Sequence, residues 1–128
     1  MSLNENSCRP DQLSPLTLAF LGDAVYELYV REALVCSANR PANDLHKLAV
    51  QKVKASAQAA AAEILMEHLT EEELTVYKRG RNAHSNHLPK GASQRDYHMA
   101  TGFESLVGYL HLQGRTDRLK ELFSIISE

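Results

Sequence analysis

The sequence predicts an all-α fold, and three observations predict it. Apolar residues recur at helical spacing in long segments. Those segments are separated by short runs rich in Gly, Pro and Asn, and two of them open on helix-start chemistry. No stretch alternates apolar and polar residues with the period of a strand.

Residues 1–13 read as a polar, irregular leader and residues 14–128 as one catalytic-size domain. Ser14 followed by Pro15 suits an N-cap and first turn, because proline has no donor to lose there. A helix over 15–34 then presents Leu18, Leu21, Val25 and Leu28 on one face. Gly22 in its middle either costs propensity, about 1 kcal/mol, or marks a close approach by another backbone. Arg40-Pro41 and Asn43 break the chain, and 44–69 reads as a second helix lined by Leu45, Leu48, Val53, Ala57, Ala60, Ile64 and Leu65. Thr70 and Glu73 have capping-box spacing, with Leu74 and Tyr77 opening a third apolar face. Gly, Asn, His and Pro mark a loop over 80–91. A helix over 94–112 follows, with Gly102 obscuring its start, and then one over 118–126 packed through Leu119, Leu122 and Ile126. Five or six helices and no internal repeat result.

With 128 residues, 44% of them hydrophobic and 23% charged, the chain suits a single globular domain. Its formal net charge of -2 offers no general polyanion-binding surface, so any such surface has to be local. Cys8 and Cys36 form neither a metal-ligand spacing nor a disulfide framework, which points to a reducing, cytoplasmic compartment. The first ten residues are polar, unlike a signal peptide. Asp23, Glu27 and Arg31 interrupt the longest apolar stretch, so no membrane span is expected.

Chemistry concentrates first in two carboxylates. Asp23 and Glu27 stand four residues apart on one helix face. Glu27 has Arg31 four residues ahead, the favourable orientation for an ion pair, and that pair competes with metal binding as its explanation. Asp23 lies between Leu21 and Val25, where desolvation is costly unless a cation or donors compensate.

The segment Phe20-Leu21-Gly22-Asp23-Ala24-Val25-Tyr26-Glu27 resembles the signature helix of the ribonuclease III family. Phe103-Glu104-Ser105-Leu106-Val107-Gly108-Tyr109-Leu110 resembles that family's second acidic helix. Lys78-Arg79-Gly80-Arg81-Asn82-Ala83 and Asn43-Asp44-Leu45-His46-Lys47 resemble its Mini-ribonuclease III branch, which lacks a separate double-stranded-RNA-binding domain. The segments occur in the family's order across residues 13–126. The resemblance implies the ribonuclease III catalytic-domain fold, with Asp23 and Glu104 as catalytic metal ligands. It departs from the larger enzymes at Ala19 and Thr101, where carboxylates would stand, which leaves the number of metal ions open. Thr101-Gly102-Phe103-Glu104 also matches a local capping box, a structural reading of Glu104 that competes with the catalytic one.

What the resemblance implies about function is a Mg²⁺-dependent endoribonuclease, with Mn²⁺ as a possible substitute, cutting double-stranded RNA to leave 5′-phosphate and 3′-hydroxyl ends. A hard cation held by carboxylates suits that chemistry by offsetting charge on phosphate and acidifying a bound water. Residues 78–95 hold Lys78, Arg79, Arg81, Lys90 and Arg95 with no Asp or Glu, and with Asn82 they are the expected RNA-binding surface; a plain solvated loop is the alternative. His84 and His87 lack the further ligands of a zinc site. The family architecture is a homodimer, in which Phe20 occupies the position that inserts into a partner socket; a core role is its alternative. The branch is associated with trimming the paired ends of 23S ribosomal RNA precursor, with possible assistance from a ribosomal protein. A double-stranded-RNA-binding or ribosome-associated homodimer that has lost catalysis is the competing reading, and a metal-independent helical interaction module a more distant one.

Overall fold

A computed structural model of the chain describes residues 8–83 and 93–127. It is all-α, with no strand among the described residues. Six α-helices follow one another: α1 (Pro15–Ser37), α2 (Ala42–Val53), α3 (Ala55–Leu65), α4 (Glu71–Arg81), α5 (Gln94–Leu112) and α6 (Thr116–Ser127). Single 3-10 turns cover Pro10–Gln12 and Met66–His68. The expected positions Lys90, His84 and His87 lie outside the described residues.

Helix α5 is the axis of the molecule. It is apolar on nearly every side, and 11 of its 19 residues are buried, which forces other helices to surround it. Helices α1, α3 and α4 do so, and α6 closes one end. Phe103, Leu106 and Leu110 of α5 meet Leu65, Tyr77 and Leu122 in the core, all at most 2% exposed. Each such side chain contributes roughly 1.5–3 kcal/mol by leaving water. Tyr26 of α1 stands edge-on to Phe103, ring centroids 4.9 Å apart and planes at 88°, a favoured aromatic geometry.

The helix starts follow the expected chemistry. Ser14 Oγ accepts from the Thr17 N–H at 3.2 Å, with Pro15 in the first turn. At α4, the Thr70 N–H donates to Glu73 Oε1 at 2.9 Å and the Glu73 N–H donates back to Thr70 Oγ1 at 3.2 Å, a complete capping box. Glu73 is fully buried and also receives Arg118 of α6 at 2.7 and 2.8 Å, so one carboxylate ties the start of α4 to α6.

Four sequence expectations are corrected. The helix expected over 44–69 is two, because Lys54 adopts an extended conformation (φ -65°, ψ 158°) between α2 and α3. The bend lets α2 pack on α1 while α3 packs on α5, and it carries no Gly or Pro to announce it. The buried face of α3 is accordingly Gln58, Ala59, Ala61, Ala62 and Leu65, whereas Ile64 is exposed. On α1 the core face is Leu18, Ala19, Gly22, Tyr26 and Val30, and Leu28 is 60% exposed. Gly102 lies inside α5, which begins where expected, after the N-cap Ser93, whose side chain accepts from the Asp96 N–H at 3.0 Å. Finally, Lys78, Arg79 and Arg81 occupy the last turn of α4 instead of a loop.

Candidate active site

Two glycines make the site. A Cβ placed on Gly22 would lie 1.8 Å from the Glu104 carbonyl oxygen, and one on Gly108 would lie 2.1 Å from the Leu18 carbonyl oxygen. Only hydrogen fits at these points, so α1 and α5 cross backbone to backbone. Asp23, next to Gly22, is thereby brought against Glu104 although 81 positions separate them in sequence (104 − 23).

The two carboxyl groups are in hydrogen-bonding reach of each other. Asp23 is exposed and Glu104 half-buried. Burial, and next the negative charge of Asp23, push the Glu104 carboxyl up to about 8, while donation from the Gln58 side chain pulls it partly back. Without a compensating cation the pair therefore resists carrying two negative charges near neutrality. The capping-box reading of Glu104 is excluded, since Thr101 sits inside α5 and its hydroxyl donates to the Tyr97 carbonyl at 2.9 Å.

The arrangement fits one kind of metal ion. Two like charges held together at a half-buried point call for a cation, and carboxylate oxygens select a hard one that completes its shell with water. Ala19 and Thr101 are both buried and add no carboxylate. No group of three or more His, Cys, Asp or Glu side chains suited to a metal occurs among the described residues, so nothing there resembles a zinc cage. Glu27 is committed to Arg31 in an ion pair at 2.5 Å.

Gln58 of α3 completes the cluster and was not singled out from sequence. It is 2% exposed, its Nε2 donates to the Val53 carbonyl at 2.8 Å, and its amide also reaches Glu104. The available signal was a lone amide inside the small-residue run 55–62.

The expected RNA-facing residues take varied positions. Lys78 and Arg79 are exposed on the last turn of α4, with no ion pair among the described residues. The Arg81 guanidinium lies over the Tyr77 ring, 5.8 Å from its centroid, and its Nε donates to Asn82 Oδ1 at 3.3 Å. Arg95 is paired with Glu63 and, at 3.7 Å, with Asp96. It precedes Glu104 by nine residues of one helix, about 13 Å along the axis.

Phe20 is 84% exposed, which excludes the core role. It belongs to a stripe of α1 that includes Leu16, Ala24 and Val35, all exposed at helical spacing. Toward the other end of α1, a cleft of about 210 Å³ opens between Arg31, Leu34 and Val35 and the α2 residues Ala42, Leu45, His46 and Ala49. Among the described residues no helix is long and apolar enough to cross a membrane.

The chain is similar to known proteins over most of its length. The family description "Ribonuclease III domain" matches residues 16–115. A Mini-ribonuclease 3 of Thermoanaerobacter sp. is 50% identical over 113 residues, covering 88% of this chain and 80% of that protein. One from Symbiobacterium thermophilum is 49% identical over 119 residues, covering 93% and 92%. The crystal structure of a Fusobacterium nucleatum protein superposes with a TM-score of 0.82 at 29% identity, covering 90% of this chain and 92% of that one.

Proposed function

Because the chain belongs to the ribonuclease III family and is an endoribonuclease, we propose that it hydrolyses phosphodiesters of double-stranded RNA at the Asp23–Glu104 pair, with Mg²⁺ bound there and Mn²⁺ able to replace it. The observation that carries the reading is the meeting of these two carboxylates across the glycine crossing of α1 and α5. A descendant that only binds RNA gains nothing from two carboxyl groups forced together, since the mutual repulsion favours the neutral form.

Mg²⁺ at this point would neutralise charge on the phosphate and supply an acidified water. The chain's own residues do the rest. Asp23 and Glu104, set on two packed helices, hold their oxygens in place before substrate arrives. Glu104, whose carboxyl is pushed up to about 8 by burial and by the charge of Asp23, would have to be ionised to hold the cation beside Asp23, so the pair would carry two charges only when they are compensated. Gly22 and Gly108 keep the crossing tight. Lys78, Arg79, Arg81 and Asn82 at the end of α4, Arg95 at the start of α5, and Lys90 from the intervening segment are read as phosphate and sugar contacts. A-form RNA is gripped mainly by shape, phosphates and 2′-hydroxyls, which suits side chains spread along helix ends.

The reading includes a homodimer. Phe20 and the 210 Å³ cleft sit toward opposite ends of the same exposed stripe of α1. A two-fold axis between them would seat each Phe20 in the other subunit's cleft, the reciprocal contact of an isologous interface. An apolar cavity of roughly 150 Å³ already admits a benzene ring. As in the Mini-ribonuclease III branch it resembles, the substrate is read as the paired ends of 23S ribosomal RNA precursor in the cytoplasm, with assistance from a ribosomal protein. Precursor ends unchanged after removal of the protein, in cells with no redundant nuclease, would overturn that assignment.

Asp23→Asn tests the site itself. It keeps side-chain size and removes the charge, so fold, dimer and RNA binding persist. Loss of one transition-state electrostatic contribution of about 3–4 kcal/mol lowers single-turnover cleavage on the order of 10²–10³-fold. Near-wild-type cleavage by a well-folded Asp23→Asn would remove the pair from the mechanism.

A further inference from the structure

The buried amide of Gln58 has no packing explanation. A side chain of similar length without polar atoms, Leu or Met, would fill the same space between α3 and α5 with no desolvation cost. Gln58 instead is 2% exposed and leaves its Oε1 with no hydrogen-bond partner among the described residues. Its Nε2 group has two hydrogens to donate. One goes to the Val53 carbonyl at 2.8 Å, the last residue of α2, and the amide also reaches the Glu104 carboxyl. The tether exists only because the chain bends at Lys54, where φ and ψ leave the helical region and expose that carbonyl to a side chain from α3.

We propose that Gln58 is a positioning residue of the active site: anchored to the Val53 carbonyl at the bend between α2 and α3, its amide holds the Glu104 carboxyl in the orientation that binds the cation. The inference rests on the assignment of Asp23 and Glu104 to the metal site. It explains why a polar side chain stands among Ala55, Ala57, Ala59, Ala60, Ala61 and Ala62, and why a bend without Gly or Pro is placed four residues before it. Metal sites depend on such outer contacts, and losing one weakens metal affinity or activity by about 10–100-fold.

Gln58→Leu and Gln58→Met test it in the full-length protein. Mn²⁺ binding is measured without RNA, by electron paramagnetic resonance of the free ion, beside thermal melting and the Mg²⁺ dependence of duplex cleavage. Both variants are expected to stay folded, to bind Mn²⁺ about tenfold or more weakly, and to need correspondingly more Mg²⁺ for half-maximal rate. The KM for RNA at saturating Mg²⁺ should not move. A merely structural amide would change melting and leave the Mn²⁺ isotherm where it was, and that result overturns the proposal. Asp23→Asn and Glu104→Gln are run alongside. If they keep Mn²⁺ binding, the site assignment itself fails; if they lose it while the Gln58 variants do not, only the role of Gln58 fails. Should the Gln58 variants not fold, the wild-type protein still decides: the Gln58 side-chain amide resonances must shift as Mg²⁺ is added, and resonances that stay fixed overturn it.

Discussion

Glu104 is the residue whose protonation the proposed cation would change. Its carboxyl lies near 8 because burial and the adjacent Asp23 both oppose its charge. At pH 7 the protonated form is therefore favoured, and Mg²⁺ bound at the proposed site would have to expel that proton. Calorimetry in buffers of different ionisation enthalpy should show close to one proton released per ion at pH 7. The release should shrink as the pH passes 8 and vanish in Glu104→Gln. Heats independent of the buffer would contradict it. The sign of the stability effect follows from the same shift. A raised folded-state pKa means the metal-free protein loses stability as pH climbs from about 4.5 through 8, and the ion reverses the loss.

At the scale of elements, helix ends do different work at the two ends of α4. Its start is a structural clamp. Glu73 is fully buried, and the Arg118 guanidinium holds its carboxyl below the usual 4.5 against the opposing effect of burial. A lowered folded-state pKa contributes stability present above pH 4.5 and lost as pH falls through the lower value. Arg118→Ala leaves that buried carboxylate unpaired and should destabilise the fold by about 3–5 kcal/mol. It should also flatten the acid side of the melting profile below pH 4.5. An unchanged acid limb would show that the clamp contributes nothing. The end of α4 carries Lys78, Arg79 and Arg81. Arg79→Ala combined with Arg81→Ala should weaken duplex-RNA binding and lower its salt slope by about two phosphate contacts' worth. Metal affinity without RNA should stay the same. An unaltered affinity and slope in binding titrations would place the RNA surface elsewhere.

The molecule as a whole leaves one face of α1 uncovered. Phe20 at 84% exposed, with Leu16, Leu28 and Val35, is the apolar stripe that the proposed dimer would cover. Phe20→Glu should convert the proposed dimer to monomer in analytical sedimentation while circular dichroism stays that of a folded helical protein, because Phe20 contributes little to the monomer core. Duplex cleavage should fall with the proposed dimer, because a monomer would bring only one Asp23–Glu104 pair to a two-stranded substrate. A Phe20→Glu protein that remains dimeric would move the interface away from this stripe.

Much of this was legible along the chain. Periodicity and caps specify helices locally, so Ser14-Pro15, the Thr70–Glu73 box and the 94–112 helix emerged where the structure has them. Asp23 and Glu104 stood out because an ionisable group in an apolar run and a motif in a known order are local signals. Tertiary packing decided the rest. Lys54 bends the chain because α2 and α3 serve different partners, and no residue type marks it. Leu28 and Phe20 are exposed, and Ala19 and Gly22 buried, because α1 meets α5 through its smallest side chains and leaves its larger ones outside. The proton on Glu104 and the tether from Gln58 exist only where three helices converge, and no local spacing encodes a contact between residues 23, 58 and 104.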